Sequence, residues 1–169
     1  MFRDWTRIDL ATRLGGMNRT LDRLVGNDSS RMLQEALDAS MERIVLGDTN
    51  QAAVVLEAAV QANPSWLRGY LLLATIYEYE HKADLATTYI EQGLAVCARS
   101  SSTLRLQRRA ERVGSITGPL ARDRIIQNAQ RLTRYERIFK QRLAMLQIRR
   151  GCWDEAFAQW EANEGEHDA

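Results

Sequence analysis

Lysine, proline, cysteine and histidine are nearly missing from this chain of 169 residues, which has two of each. With two prolines and ten glycines there are few positions for tight turns, so a strand-rich fold with many hairpins is excluded and a mostly helical one is expected. Cys97 and Cys152 stand too far apart in sequence, and are too few, to make a disulfide framework. His81 and His167 would have to converge with both cysteines to make a zinc cluster of nitrogen and sulfur ligands, and nothing in their spacing brings them together. No apolar run approaches the roughly 18 residues a membrane span requires. The first residues lack the apolar core and small-residue cleavage site of a secretory signal, which sets a reducing cytoplasm as the expected location. A glycine-rich phosphate loop, a nucleophile elbow and a paired-histidine helix motif are also missing. The expectation is therefore a chain without catalysis, cofactor or metal. What is present is 45% apolar composition, enough for a continuous core in one domain or a short repeat array.

The net charge of +1 conceals a strong asymmetry. Residues 1–98 sum to −4, residues 99–150 to +11 and residues 151–169 to −6. Because only Lys82 and Lys140 among the 23 basic residues are lysines, the basic segment is an arginine surface. Guanidinium forks pair bidentately with carboxylates and phosphates, and a clustered field of one sign acts at a distance that net charge does not reveal. Arg105, Arg108, Arg109 and Arg112 fall at helical spacing opposite Leu104, Leu106 and Val113, and Arg131, Arg134 and Arg142 continue the basic character. An internally paired, solvated face, an acidic protein partner, and nucleic acid or anionic lipid all fit this pattern. Nucleic acid is disfavoured because only Tyr135 and Phe139 are there to stack on bases.

A repeat runs through the chain. The stretch Gly47-Asp48-x-x-x-Ala52-x-x-x-Leu56-x-x-Ala59-x-x-x-x-Pro64 is a turn followed by a helix. A shift of 34 positions lands on His81, Ala86, Ile90, Gly93 and Ala98, with Tyr70, Leu73, Ala74 and Tyr77 on the helix before. A shift of 104 lands on Gly151, Ala156 and Trp160. This pattern resembles the tetratricopeptide repeat family, whose helix-turn-helix units of about 34 residues place small residues where two helices approach and large ones where they fill the gap. The resemblance covers somewhat over half the chain. It is strongest over residues 67–100, clear in the second helix of 33–66, and suggestive over 137–163 through Leu143, Ala144, Gly151, Ala156 and Trp160. Residues 101–134 have repeat length without repeat signature, and Ala39, Ser40 and Arg43 depart from the pattern in the first unit.

Local signals set the helix boundaries. Ser29 or Ser30 caps a helix to about Leu46 with Leu33, Leu37, Met41 and Ile44 on one stripe; helices follow at about 50–62, 66–79 and 83–97. Asn63-Pro64-Ser65 punctuates the chain, with Ser65 as the expected cap of the helix that Trp66 opens. A short helix is expected at 102–113 before Gly114, and Pro119 opens either one long helix to 148 or two broken near Thr133, with repeat length favouring the break. Ahead of the repeats, Gly15-Gly16 divides residues 1–28 into two amphipathic helices carrying Phe2, Trp5, Ile8, Leu14, Leu21 and Leu24. These either cap the first repeat or serve as a partner-docking or membrane-surface anchor, the last weakened by Asp4, Asp9 and Asp22. The organisation expected is thus N-terminal capping helices at 1–28, repeats over 29–163 and an acidic tail at 164–169.

The resemblance implies an all-α solenoid that acts as a protein-binding adaptor, with the first helix of each unit lining a concave surface for a peptide or helix. On this chain that surface is Leu37, Met41, Ile44 and Val45 in one unit and Arg68, Leu71, Thr75, Glu78 and Tyr79 in the next. The first set is apolar and is expected to face outward, awaiting the chain's own N-terminal helices, a second copy or a partner helix. The alternative is a subunit of a larger or membrane-surface assembly that docks through its N-terminal helices and arginine face. An enzyme with an unfamiliar site would need a cluster of His, Cys or carboxylates, and outside the acidic tail the sequence has none. Cys97 reads as a small core residue, Cys152 beside Trp153 as a turn residue, and His167 as part of a solvated end.

Overall fold

A computed structural model describes residues 2–25, 31–112, 119–156 and 158, with side chains over 9–24, 31–110, 122–156 and 158. Six helices follow one another: α1 (Phe2–Val25), α2 (Arg31–Leu46), α3 (Thr49–Ala62), α4 (Leu67–Tyr79), α5 (Ala83–Arg112) and α6 (Pro119–Arg149). A further helical turn begins at residue 153. Among the described residues there is no strand. The chain divides into two compact units, Met1–Tyr89 and Ile90–Ala169, with α5 starting in the first and continuing into the second.

In the first unit α2 packs on α3 and α3 on α4, while α1 packs on both α2 and α4. Every residue from Leu67 to Tyr77 is buried, so α4 is the central element with neighbours on more than one side. Small residues set the close approaches. Ser40 is fully buried and donates to the carbonyl of Ala52 across the α2–α3 crossing (3.3 Å). A Cβ at Gly69 would fall closer than 3.0 Å to the ring of Trp66 and to Val60, which explains why glycine stands there. Trp66, not Ser65, is the N-cap of α4, and it makes no side-chain capping bond. Its ring is buried against the face of Gly69 and Val60, so core packing rather than a hydroxyl cap fixes where α4 begins.

Three turns share one backbone design. The residue closing each preceding helix is left-handed: Gly47 at φ 85°, His81 at 60° and Gly151 at 79°. The following N–H then reaches back five residues, from Asp48 to Arg43, Lys82 to Tyr77 and Cys152 to Gln147, satisfying an otherwise orphaned carbonyl. In each case the next helix opens with an alanine N–H donating to the residue four before it: Ala52 to Asp48, Ala86 to Lys82 and Ala156 to Cys152. All three alanines are buried. Glycine occupies two of these left-handed positions at no steric cost, whereas His81 carries a Cβ there. His81→Gly should therefore raise stability by roughly 0.5–1 kcal/mol, the relief of strain being partly offset by the freer unfolded chain. A chemical denaturation curve shifted to higher midpoint is the check.

In the second unit α5 and α6 meet where Phe139 lies over Gly93: a Cβ at 93 would approach three ring atoms of Phe139 closer than 3.0 Å. Tyr135, Phe139, Leu143 and Leu146 on α6, and Val96, Cys97 and Leu104 on α5, are buried there.

The helix boundaries at 31–46, 49–62 and 67–79 agree with expectation to within two residues, but three junctions differ. α1 is one helix running through Gly15-Gly16, not two. No helix starts at 102, because α5 continues unbroken for 30 residues. α6 is likewise a single helix of 31 residues with no break at Thr133. The serines and threonines at these points do not interrupt, because their hydroxyls bond to carbonyls four residues back: Ser102 to Ala98, Thr103 to Arg99 and Thr133 to Ala129. Residues 101–112 and 119–134 thus lengthen the neighbouring helices, one to each.

Candidate functional site

The seat of α1 on α4 is built from a stripe at i, i+3 and i+7: Arg68, Leu71 and Thr75. Arg68 is 1% exposed, yet its guanidinium is permanently charged, so it must find acceptors inside. Both come from α1. Nη1 of Arg68 donates to Asn18 Oδ1 at 2.8 Å and lies 2.7 Å from Asp22 Oδ1. Asp22 is 45% exposed at its side chain, so a deeply buried cation is paired with a carboxylate that still touches water. Two turns along α4 from Arg68, Thr75 donates to the carbonyl of Leu71 (2.8 Å) and approaches the sulfur of Met17 (3.4 Å). Leu71 between them is fully buried.

On α1 the matching stripe is Leu10, Leu14, Met17 and Leu21, spaced i, i+4, i+7 and i+11. The three leucines are almost completely buried. Asn18 and Asp22, four residues apart, flank it on the side of Arg68. The side chains of Phe2, Trp5 and Ile8 lie outside the described residues.

This arrangement covers part of the expected groove. Leu37 and Ile44 on α2 are buried rather than outward-facing, as are Arg68, Leu71 and Thr75 on α4. The reason is that α2 has one apolar stripe, Leu33, Leu37, Ser40 and Ile44, which serves its contacts with α3 and α1 alike. Met41, Glu78 and Tyr79 are half-buried. Val45 is 64% exposed and lies off the stripe. Of the residues expected to line it, Arg68 and Thr75 meet α1 directly.

A second polar cluster in the first unit joins α3, α4 and α5. Glu57 Oε1 accepts from the hydroxyls of Tyr77 (2.7 Å) and Tyr89 (2.6 Å), whose rings stack 5.5 Å apart at 6°. Lys82 lies 5.7 Å from the centre of the Tyr77 ring and 2.6 Å from Glu80, which in turn accepts from Thr49. Burial first, and then the bonds to Glu57, push both tyrosine hydroxyls well above their ordinary titration range. Cys97 in the second unit is pushed up to about 12 by burial, with the nearby Glu136 adding to it, which makes it a poor nucleophile at neutral pH.

All three groups are neutral when protonated and hold the proton more tightly folded than unfolded. Stability is therefore fully present below the unfolded values and lost as pH rises. For Cys97 the loss should run from about pH 8.5 to about 12, at up to roughly 1.4 kcal/mol per pH unit, with the tyrosines adding from about pH 10. Unfolding free energy measured across this range should decline, and Cys97→Ala should flatten the first part of the decline.

Sequence spacing does not find this tyrosine pair, because Tyr77 and Tyr89 stand 20 and 32 positions from Glu57. Asn18 and Asp22 were also missed as partners of Arg68. The only signal for the seat of α1 is the leucine spacing on α1 itself.

On the arginine segment, Arg105, Arg108, Arg109 and Arg134 are exposed, while Arg131 and Arg142 are half-buried along α6. The side chain of Arg112 lies outside the described residues, as do Val113, Gly114, Trp160, His167 and the acidic tail at 164–169. Leu106, expected on the apolar side with Leu104, is instead 67% exposed among the α5 arginines, because two positions along a helix of about 3.6 residues per turn lead to the opposite face. Cys152 is half-buried in the turn after α6.

Among the described residues, no group of three or more His, Cys, Asp or Glu side chains could hold a metal ion. No described helix is long and apolar enough to cross a membrane. Comparison with protein-family models, with curated proteins and with solved structures finds no match to the chain.

Proposed function

We propose that the chain is a non-catalytic protein-binding scaffold of tetratricopeptide-like helical repeats, working in the cytoplasm, whose α2–α4 face receives an amphipathic helix. The observation that carries this is the seat of α1. A leucine stripe lies on α2 and α4, and an Asn–Asp pair four residues apart meets the buried Arg68. Helix-in-groove recognition uses this arrangement, with apolar anchors at i, i+4, i+7 and i+11 for affinity and one charged pair for register. The three equivalent turns at Gly47, His81 and Gly151, each followed by a buried alanine five residues on, support the repeat reading.

A second reading is favoured by the exposed Arg105, Arg108 and Arg109: a subunit that docks on an acidic protein or anionic surface of a larger assembly through α5. Hydrogen exchange on the complex that the full chain forms with a partner from its source cell separates the two. Changed protection in α1, α2 and α4 is the expected footprint. A footprint confined to 99–112 and 122–134 overturns the groove reading and supports the arginine face.

A further inference from the structure

The glycine pair of α1 is not explained by packing. A Cβ built on Gly15 or Gly16 meets no atom within 4 Å, neither has a positive φ, and both lie in the interior of a 24-residue helix. At the other glycines among the described residues a reason is visible. Gly69 and Gly93 make room for a ring, and Gly47 and Gly151 adopt left-handed backbone. At 15 and 16 the pair serves no contact and lowers the helical stability of the segment, because each glycine disfavours a helix interior relative to alanine. Its position is also telling: it sits between Leu14 and Met17, in the middle of the stripe that docks on α4, and weakens the helix where it is held.

The ion pair beside it has the same character. Arg68 is sealed under α1, but its carboxylate partner Asp22 is half in water, so the bond opens from the solvent side. Once α1 leaves, Arg68 loses its contacts with Asn18 and Asp22, and a carboxylate on an incoming helix restores the charge pairing.

We infer that α1 is an exchangeable latch, an intramolecular occupant that a partner helix replaces. This rests on the groove reading above and specifies its partner: a helix with leucine-like anchors at i, i+4 and i+11 and an Asp or Glu at i+12, the positions Leu10, Leu14, Leu21 and Asp22 fill. Charge complementarity with Arg68 decides the acidic position, and the apolar α2–α4 floor decides the anchors. Closure of the latch is set by Gly15-Gly16, and the affinity seen by a partner is lowered by the fraction of chains in which α1 is seated.

The test uses the full chain and, as probe, a fluorescein-labelled synthetic peptide of residues 2–25 followed by anisotropy. Wild type should bind it. Gly15→Ala/Gly16→Ala in the protein, with the peptide unchanged, should weaken binding by up to about thirtyfold, the equivalent of about 2 kcal/mol of added helix stability. The same variant should raise the melting midpoint and slow amide exchange in α1, showing that it folds. Asp22→Ala should tighten peptide binding several-fold by loosening the latch. Equal peptide affinity in all three proteins, with protection appearing on α2 and α4, overturns the latch while leaving the groove reading intact. No binding to the Asp22→Ala protein at hundreds of micromolar overturns both. A concentration-dependent dimer that exchanges α1 between copies overturns the partner-helix occupant in favour of a second copy.

Discussion

Leu71→Glu is expected to unfold the first unit, whereas Val45→Glu, at a position also expected in the groove, should leave it folded. Leu71 is fully buried in the centre of the Arg68–Leu71–Thr75 stripe, closed from above by α1. Removing such a leucine costs about 2–5 kcal/mol through lost transfer energy and the space left behind, and a carboxylate in its place adds a desolvation cost of several kcal/mol. Arg68 stands one turn away, but its guanidinium is already held by Asn18 and Asp22. A carboxylate at 71 can reach it only by displacing α1, which gives up the burial of Leu10, Leu14 and Leu21. Against a typical total stability of about 5–15 kcal/mol, either route leaves the unit largely unfolded. Val45 is 64% exposed, so its substitution should change stability by no more than about 0.5 kcal/mol. Circular dichroism and urea denaturation of the two variants give the answer directly. Retained helicity and an unchanged midpoint for Leu71→Glu would mean that α1 is not seated on α4.

That contrast shows where sequence reasoning was sufficient and where it stopped. The stripe Leu33, Leu37 and Ile44 is visible as helical periodicity, and Gly47-Asp48 and Asn63-Pro64 mark the helix ends because left-handed backbone and proline each impose a local constraint. Asp48 accepts from the Gln51 N–H at 3.0 Å, as a capping residue should. What covers a stripe is a different matter. The bond that seats α1 joins Asn18 to Arg68, 50 positions apart, and no local pattern encodes that pairing. Glycine was also misleading at 15 and 16, where a helix continues because docked leucines on either side hold it. Similarly a helix end is expected near residue 97, yet α5 runs on unbroken to Arg112. Serine and threonine prefer caps only when the backbone offers a free N–H; inside a helix they bond backward, as Ser102 and Thr103 do. The arginine segment was legible as charge, since its described α5 arginines are exposed. Its partner is not legible from charge, because carboxylates and phosphates satisfy a guanidinium equally well.

The second unit has its own decisive contact, and a double-mutant cycle isolates it. Phe139→Ala removes a fully buried ring from between α5 and α6 and should cost about 3–5 kcal/mol. Gly93→Ala adds one methyl group where three atoms of that ring already stand, closer than 3.0 Å to the new Cβ. The ring is hemmed in by the core, with Tyr135 tilted against it at 6.4 Å, so it has no solvent side to swing toward. Overpacking of this kind costs about 1–3 kcal/mol. If the two residues touch, the costs do not add: with the ring gone, the alanine at 93 meets no clash and fills part of the vacated space. Its better helix propensity then favours α5 by up to about 1 kcal/mol. Gly93→Ala/Phe139→Ala should consequently be no less stable than Phe139→Ala alone, giving a coupling of about 1–3 kcal/mol between the sites. Gly15→Ala is the internal comparison, since its Cβ meets nothing and should stabilise without any ring to remove. Strict additivity of Gly93→Ala and Phe139→Ala in denaturation would mean that α5 and α6 do not cross at this glycine, and that the small residue repeated 34 positions after Ala59 has no neighbour requiring it.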